Sequence, residues 1–139
     1  MNTEVKPHTR FRVSMRHIDI FGHVHNSVYL DYCEDAVLEY LRAADLFSYF
    51  RVRNSDFAYH VKKAEITFHN PIDVDDMVDA RARVAHVGTT SLSFEIDLLR
   101  ARDQVSCASG KLVWVCVDLK EGRPAPIPDA TLAALRSVP

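Results

Sequence analysis

The segment Arg16-His17-Ile18-Asp19-Ile20-Phe21-Gly22-His23-Val24-His25-Asn26-Ser27 gathers one carboxylate, three imidazoles and a glycine just ahead of a long helical pattern. A carboxylate can attack a carbonyl carbon or activate a water, and an imidazole can move protons near neutral pH. A helix start presents unpaired backbone N–H groups and the positive end of the helix dipole, both suited to negative charge developing on a carbonyl oxygen. The chemistry these residues could perform is therefore attack on an acyl carbon, with Asp19 as nucleophile or general base. The same residue types also fit an inert loop, in which Asp19 caps a turn, Gly22 meets a backbone angle and the histidines are solvated. A zinc site from His23-x-His25 with Asp19 or Asp31 uses suitable ligand types but lacks a zinc-site register, so no metal and no other cofactor is expected. Cys33 is a second nucleophile candidate, with His23 or His25 upstream as base. Its helical phase places it beside Tyr29, Val37 and Tyr40, where a thiol packs as a small hydrophobe; Cys107 and Cys116 have the same reading in the last strand.

Around this segment stand the elements that must position it. Phe11, Val13 and Met15 alternate with polar residues, which predicts a strand over 9–15. From about Asn26 to Ala44, Tyr29, Tyr32, Cys33, Ala36, Val37, Tyr40, Leu41 and Ala44 fall three and four apart, the spacing of one helix face, with Asn26 or Ser27 as N-cap. Residues 45–56 read as a variable connection, whose Leu46, Phe47, Tyr49 and Phe50 could close over a ligand or pack beneath a loop. Four strands follow, over Phe57–Asn70, Met77–Val87, Leu92–Ala101 and Val105–Asp118, separated by short turns. The order predicts an α+β domain in which a five-stranded antiparallel sheet covers the helix's apolar stripe. The whole chain, 1–139, reads as a single domain, with its core over about 9–120 and a Pro-rich tail over 121–139. A five-stranded sheet leaves two edges open, so a homodimer at least is expected.

Composition narrows the classes further. The chain has 139 residues, 47% hydrophobic and 26% charged, which suffices for one core without disulfides. A net charge of -2, with dispersed basic residues, argues against a nucleic-acid-binding domain. Three cysteines without a C-x-x-C pair suggest a reducing compartment, and the polar start and lack of a long apolar run suggest a cytoplasmic protein with no membrane segment.

The pattern Asp19, Gly22, His23, Val24, Asn26, Tyr29, Tyr32 and Glu34 resembles the signature of hotdog-fold acyl-CoA thioesterases of the 4-hydroxybenzoyl-CoA thioesterase type. A second stretch, Ala64-Glu65-Ile66-Thr67-Phe68-His69-Asn70-Pro71-Ile72 followed by Asp75-Asp76, is similar to the strand, proline and acidic turn after the central helix in that family. The resemblance spans about residues 9–120. It implies a hotdog fold, a sheet wrapped around one long central helix, in a homodimer or homotetramer with active sites at the subunit interface. It implies hydrolysis of an acyl-CoA thioester, with Asp19 as the catalytic carboxylate and an amide at or next to Asn26 polarising the carbonyl. Gly22, His23, Val24, His25, Asn26 and Tyr29 would line the substrate. The turn of Gly88, Thr89 and Thr90 would meet the coenzyme through amides and hydroxyls, since it lacks the basic cluster some relatives carry there. That departure leaves an acyl carrier protein as an alternative bearer of the acyl group. A non-catalytic acyl-CoA binding module is a reading from another class, against which the carboxylate at position 19 speaks.

Overall fold

The computed structural model describes residues 9–51 and 56–138. Its elements in chain order are β1 (Thr9–Arg12), α1 (Val28–Ala43), β2 (Phe57–Phe68), β3 (Met77–Val87), β4 (Ser91–Arg100), β5 (Ser106–Asp118), β6 (Arg123–Pro124) and α2 (Asp129–Arg136). The sheet is antiparallel in the order β1-β3-β4-β5-β2, with β6 added to β5. This is the hotdog arrangement, with six strands instead of five because the chain turns back at Gly122, φ +66°, and pairs Arg123 and Pro124 with Asp118 and Val117.

α1 buries Tyr29, Tyr32, Cys33, Ala36, Val37, Tyr40 and Leu41, the stripe its spacing predicts. Each such fully buried aliphatic side chain contributes about 1.5–3 kcal/mol relative to exposure. The inner face of the sheet supplies Val78, Ala80, Ala82, Phe94, Ile96, Leu98 and Leu112. On that face stands Gly110, where a Cβ would lie 2.8 Å from the Cys33 sulfur. Glycine lets helix and sheet meet there, and Cys33 is a packing residue.

Three expectations need correction. The first strand ends at Arg12, because Val13 turns into the core and donates its N–H to the Asp76 carbonyl, and Met15–His17 form a single 3-10 turn. The Ser27 side chain makes no cap: the Val28 and Tyr29 amides are already bonded to the His25 and Asn26 carbonyls. The tail does not lie outside the core, since Ile127, Thr131 and Leu135 are buried and Ile127 N–H bonds the Thr89 carbonyl at 2.8 Å. In the connection after α1, Leu46 is buried and Phe50 packs against Tyr59 at a tilt and against Trp114 edge-on, while residues 52–55 lie outside the described residues. Among the described residues no helix is long and apolar enough to cross a membrane.

Candidate active site

Between β1 and α1 the chain makes a small hairpin. Ile18 and Val24 pair, the Asp19 N–H donates to the His23 carbonyl at 2.9 Å, and the Gly22 N–H donates to the Asp19 carbonyl at 3.1 Å. Gly22 has φ +77°, the left-handed region that a side chain disfavours, so this turn requires glycine. The hairpin is tied at its base: Val24 N–H bonds the Ile72 carbonyl and His25 N–H bonds the His17 carbonyl, each at 2.8 Å. His17 Nδ1 in turn lies 2.9 Å from the Tyr32 hydroxyl on α1. That phenol is pushed up to about 12 by burial and by its neighbours Tyr29 and Asp31, so it stays protonated.

The Asp19 side chain is 25% exposed. Its Oδ1 accepts the Phe21 N–H at 2.9 Å, which orients the carboxylate, while the approach of His25 Nδ1 to Oδ2, at 3.8 Å, is too long for a hydrogen bond. One oxygen is thus held and the other is available. The carboxylate opens onto a cleft of about 890 Å³, within the size range of small-molecule sites. Of the expected residues, Asp19, His23, Val24, His25, Asn26 and Tyr29 line this cleft, and Gly22 shapes the turn between them. Tyr29 is mostly buried and lines the cleft, and that burial raises its hydroxyl's pKa. The helix start faces the cleft at Asn26 with no side-chain oxygen capping it.

The structure does not bring Gly88, Thr89 and Thr90 to this cleft. Thr90 lines a separate depression of about 330 Å³ with Lys62, Lys63 and Ser91. The wall opposite Asp19 comes instead from the end of β2: Phe68, His69, Asn70 and Pro71. Phe68 meets the Tyr29 ring edge-on at 4.9 Å, His69 Nε2 lies 2.9 Å from Ser109 Oγ, and the Asn70 amide donates to the Ser106 carbonyl at 2.8 Å. These wall residues lie some forty positions from the motif, so spacing could not join them to it; the signals were the second family-like stretch, which contains them, and the break in strand pattern at Pro71. Leu46, Phe47, Tyr49 and Phe50 are not part of the wall.

The other nucleophile candidate is inert in this fold. Cys33 is fully buried, and burial pushes its thiol up to about 12, so almost no thiolate exists at neutral pH. Among the described residues no three His, Cys, Asp or Glu side chains converge in a way that could hold a metal ion.

A sheet curled around one helix, with an acidic hairpin at the helix start opening on a cleft, defines a hotdog protein of the thioesterase class. The chain belongs to the thioesterase-like superfamily, whose model matches residues 13–135. It is 26% identical over 113 residues to the long-chain acyl-CoA thioesterase FadM of Escherichia coli K12, covering 81% of this chain and 83% of that one. It is 29% identical over 123 residues to the acyl-CoA thioesterase YbgC of Haemophilus influenzae, covering 88% and 89%. Among solved structures, a thioesterase from Thermus thermophilus complexed with coenzyme A and zinc superposes with a TM-score of 0.75 at 31% identity, covering 93% and 91%.

Proposed function

We propose that this enzyme hydrolyses acyl-CoA thioesters in the cleft before α1, with Asp19 as its catalytic carboxylate. The family and its named relatives carry the coarse statement, that the chain is an acyl-CoA thioesterase. The finer one rests on a single observation: Asp19 is oriented by the Phe21 amide yet keeps an oxygen without a hydrogen bond, facing a cleft that begins at the helix start, where Ser27 makes no side-chain cap. The thioester carbonyl oxygen would sit against the amides around Asn26, where the helix dipole stabilises the developing oxyanion. Asp19 either attacks the acyl carbon, expelling the coenzyme thiolate and leaving a mixed anhydride that water cleaves, or takes a proton from a water that attacks instead. A thiol of pKa about 8.5 leaves without a strong acid, so neither route needs a second carboxyl group.

His23, Val24, His25 and Tyr29 surround the reacting atoms in this reading, and Phe68 and Phe21 supply apolar wall for the acyl group. Gly88, Thr89 and Thr90 remain candidates for the coenzyme only if a second subunit completes the site. The outer edge of β2 has no partner strand among the described residues, and Val61 and Phe68 on it are exposed, as are Ile20 and Phe21 at the hairpin tip. Edge pairing of β2 with its counterpart would give a homodimer and cover these side chains. The test is thiol release from short, long and aromatic acyl-CoAs by the wild type and by Asp19→Asn. Turnover by the wild type and its loss in the variant supports the reading; binding without release by the wild type overturns it in favour of a binding module or of an acyl carrier protein as the bearer of the substrate.

A further inference from the structure

We infer that Arg102, in the turn between β4 and β5, is a positioning residue for the hairpin that carries Asp19; the inference rests on the reading of Asp19 given above. Arg102 is far from the hairpin in sequence and does not line the cleft. It reaches the hairpin through the segment joining β2 to β3. Its Nε donates to Asp76 Oδ1 at 2.7 Å, and the other oxygen of that buried carboxylate accepts the Asp73 N–H at 2.9 Å. Asp73 pairs with His23 as an isolated antiparallel bridge, and its Oδ1 lies 3.3 Å from His23 Nε2. The His23 carbonyl accepts the Asp19 N–H at 2.9 Å. Four successive contacts thus run from the guanidinium to the backbone of the proposed catalytic residue.

The neighbouring arginine has a different target. Arg100 donates to the Pro71 carbonyl at 3.1 Å and to Asp103, holding the cleft wall rather than the hairpin. Arg102 alone among the described residues bonds the Asp76 side chain as a cation. Asp76 is 5% exposed, and a buried carboxylate that loses its cation must be resolvated or move. Moving it shifts the Asp73 amide, hence His23 and the reach of Asp19 toward an acyl carbon. Displacements of about 1 Å at a reacting group can cost about a hundredfold in rate, whereas ground-state binding in an open cleft tolerates them.

The signature is therefore a fall in kcat without a matching rise in KM. Arg102→Gln should lower kcat about tenfold and change KM less than about twofold. Arg102→Lys, which keeps the charge, should recover part of that loss. Asp73→Asn should lower kcat similarly, and the double variant Arg102→Gln/Asp73→Asn should be no worse than the worse single one, because both act through one chain of contacts. Arg83→Gln breaks the exposed Arg83–Glu95 pair on the sheet and controls for general loosening; its kcat should match wild type. An Arg102→Gln enzyme with unchanged kcat, a loss confined to KM, or an equal loss in Arg83→Gln would overturn the inference. Asp19→Asn is assayed beside them: if it stays active the reading of Asp19 itself has failed, whereas an inactive Asp19→Asn with a normal Arg102→Gln rejects only the role of Arg102.

Discussion

Two aspartates of this molecule have opposite fates. Asp79, on β3, is 1% exposed and holds three donors: Arg10 grips both of its oxygens and the Gln104 amide donates to Oδ2 at 2.7 Å. The hydrogen bond and charge of Arg10 hold its carboxyl below the usual range despite burial. Asp19 is more exposed and has one fixed donor, the Phe21 amide. A buried carboxylate with both oxygens engaged binds strands together and is closed to an incoming substrate. One that is oriented through a single oxygen retains a lone pair for an acyl carbon or a water. Accessibility and unspent hydrogen-bonding capacity, more than residue type, separate the carboxylate proposed to react from the structural one.

Exchanging each for its amide sharpens the contrast most. Asp19→Asn should lower kcat/KM by about a hundredfold or more, equivalent to about 2.7 kcal/mol of transition-state stabilisation, while the melting temperature stays within about two degrees of wild type. Single-turnover hydrolysis in ¹⁸O-water then tests the anhydride route: label entering the Asp19 side chain marks an anhydride opened at the aspartyl carbon, whereas label only in the product acid is common to the base route and to an anhydride opened at the acyl carbon. Equal turnover by wild type and variant would break the comparison at its root.

Asp79→Asn should do the reverse, costing about 2 kcal/mol of stability in urea unfolding while the folded fraction keeps wild-type turnover. The figure stays modest because Arg10 is half exposed and its charge is screened. A pH dependence follows with a defined sign. A carboxyl whose folded pKa is lowered adds stability that is full above the unfolded value of about 3.9 and is lost as pH falls through the lower folded value. Wild type should therefore lose stability below about pH 4 more steeply than Asp79→Asn. Parallel acid limbs would show that the Arg10 pair contributes nothing.

These two residues are unequally legible in the sequence. Asp19 is visible because the hairpin, the glycine and the helix start are contiguous, and a helix of period 3.6 announces its buried face through Tyr29 to Leu41. β3 and β4 are legible to within a residue, since alternation persists while one face meets α1. Asp79 does not stand out, because its partners Arg10 and Gln104 come from strands and turns that only the tertiary pairing brings together. Phe68 to Pro71 are visible as a second family-like stretch, but that they form the cleft wall near Asp19 is hidden for the same reason. The tail misleads because its prolines suggest a linker; Ile127 and Leu135 nevertheless have apolar surface to bury, and three prolines set the path that brings α2 back to the core.

The contrast between reactive and structural groups extends to the thiols, at smaller amplitude. Cys33 is a nucleophile by type, and its burial against Gly110 makes it a spacer. Gly110→Ala should destabilise the fold by about 1–2 kcal/mol, since the new Cβ would stand 2.8 Å from the Cys33 sulfur in a close-packed interior. Cys33→Ala alone opens a small void and should cost about 1 kcal/mol with turnover unchanged. Combined, the substitutions should partly cancel, because the methyl added on the sheet enters the space the sulfur leaves on the helix, a coupling that urea titration of the four proteins would read directly. Additive losses would mean that helix and sheet do not meet at Gly110, and a loss of turnover in Cys33→Ala with the fold intact would return the thiol to the list of reacting groups.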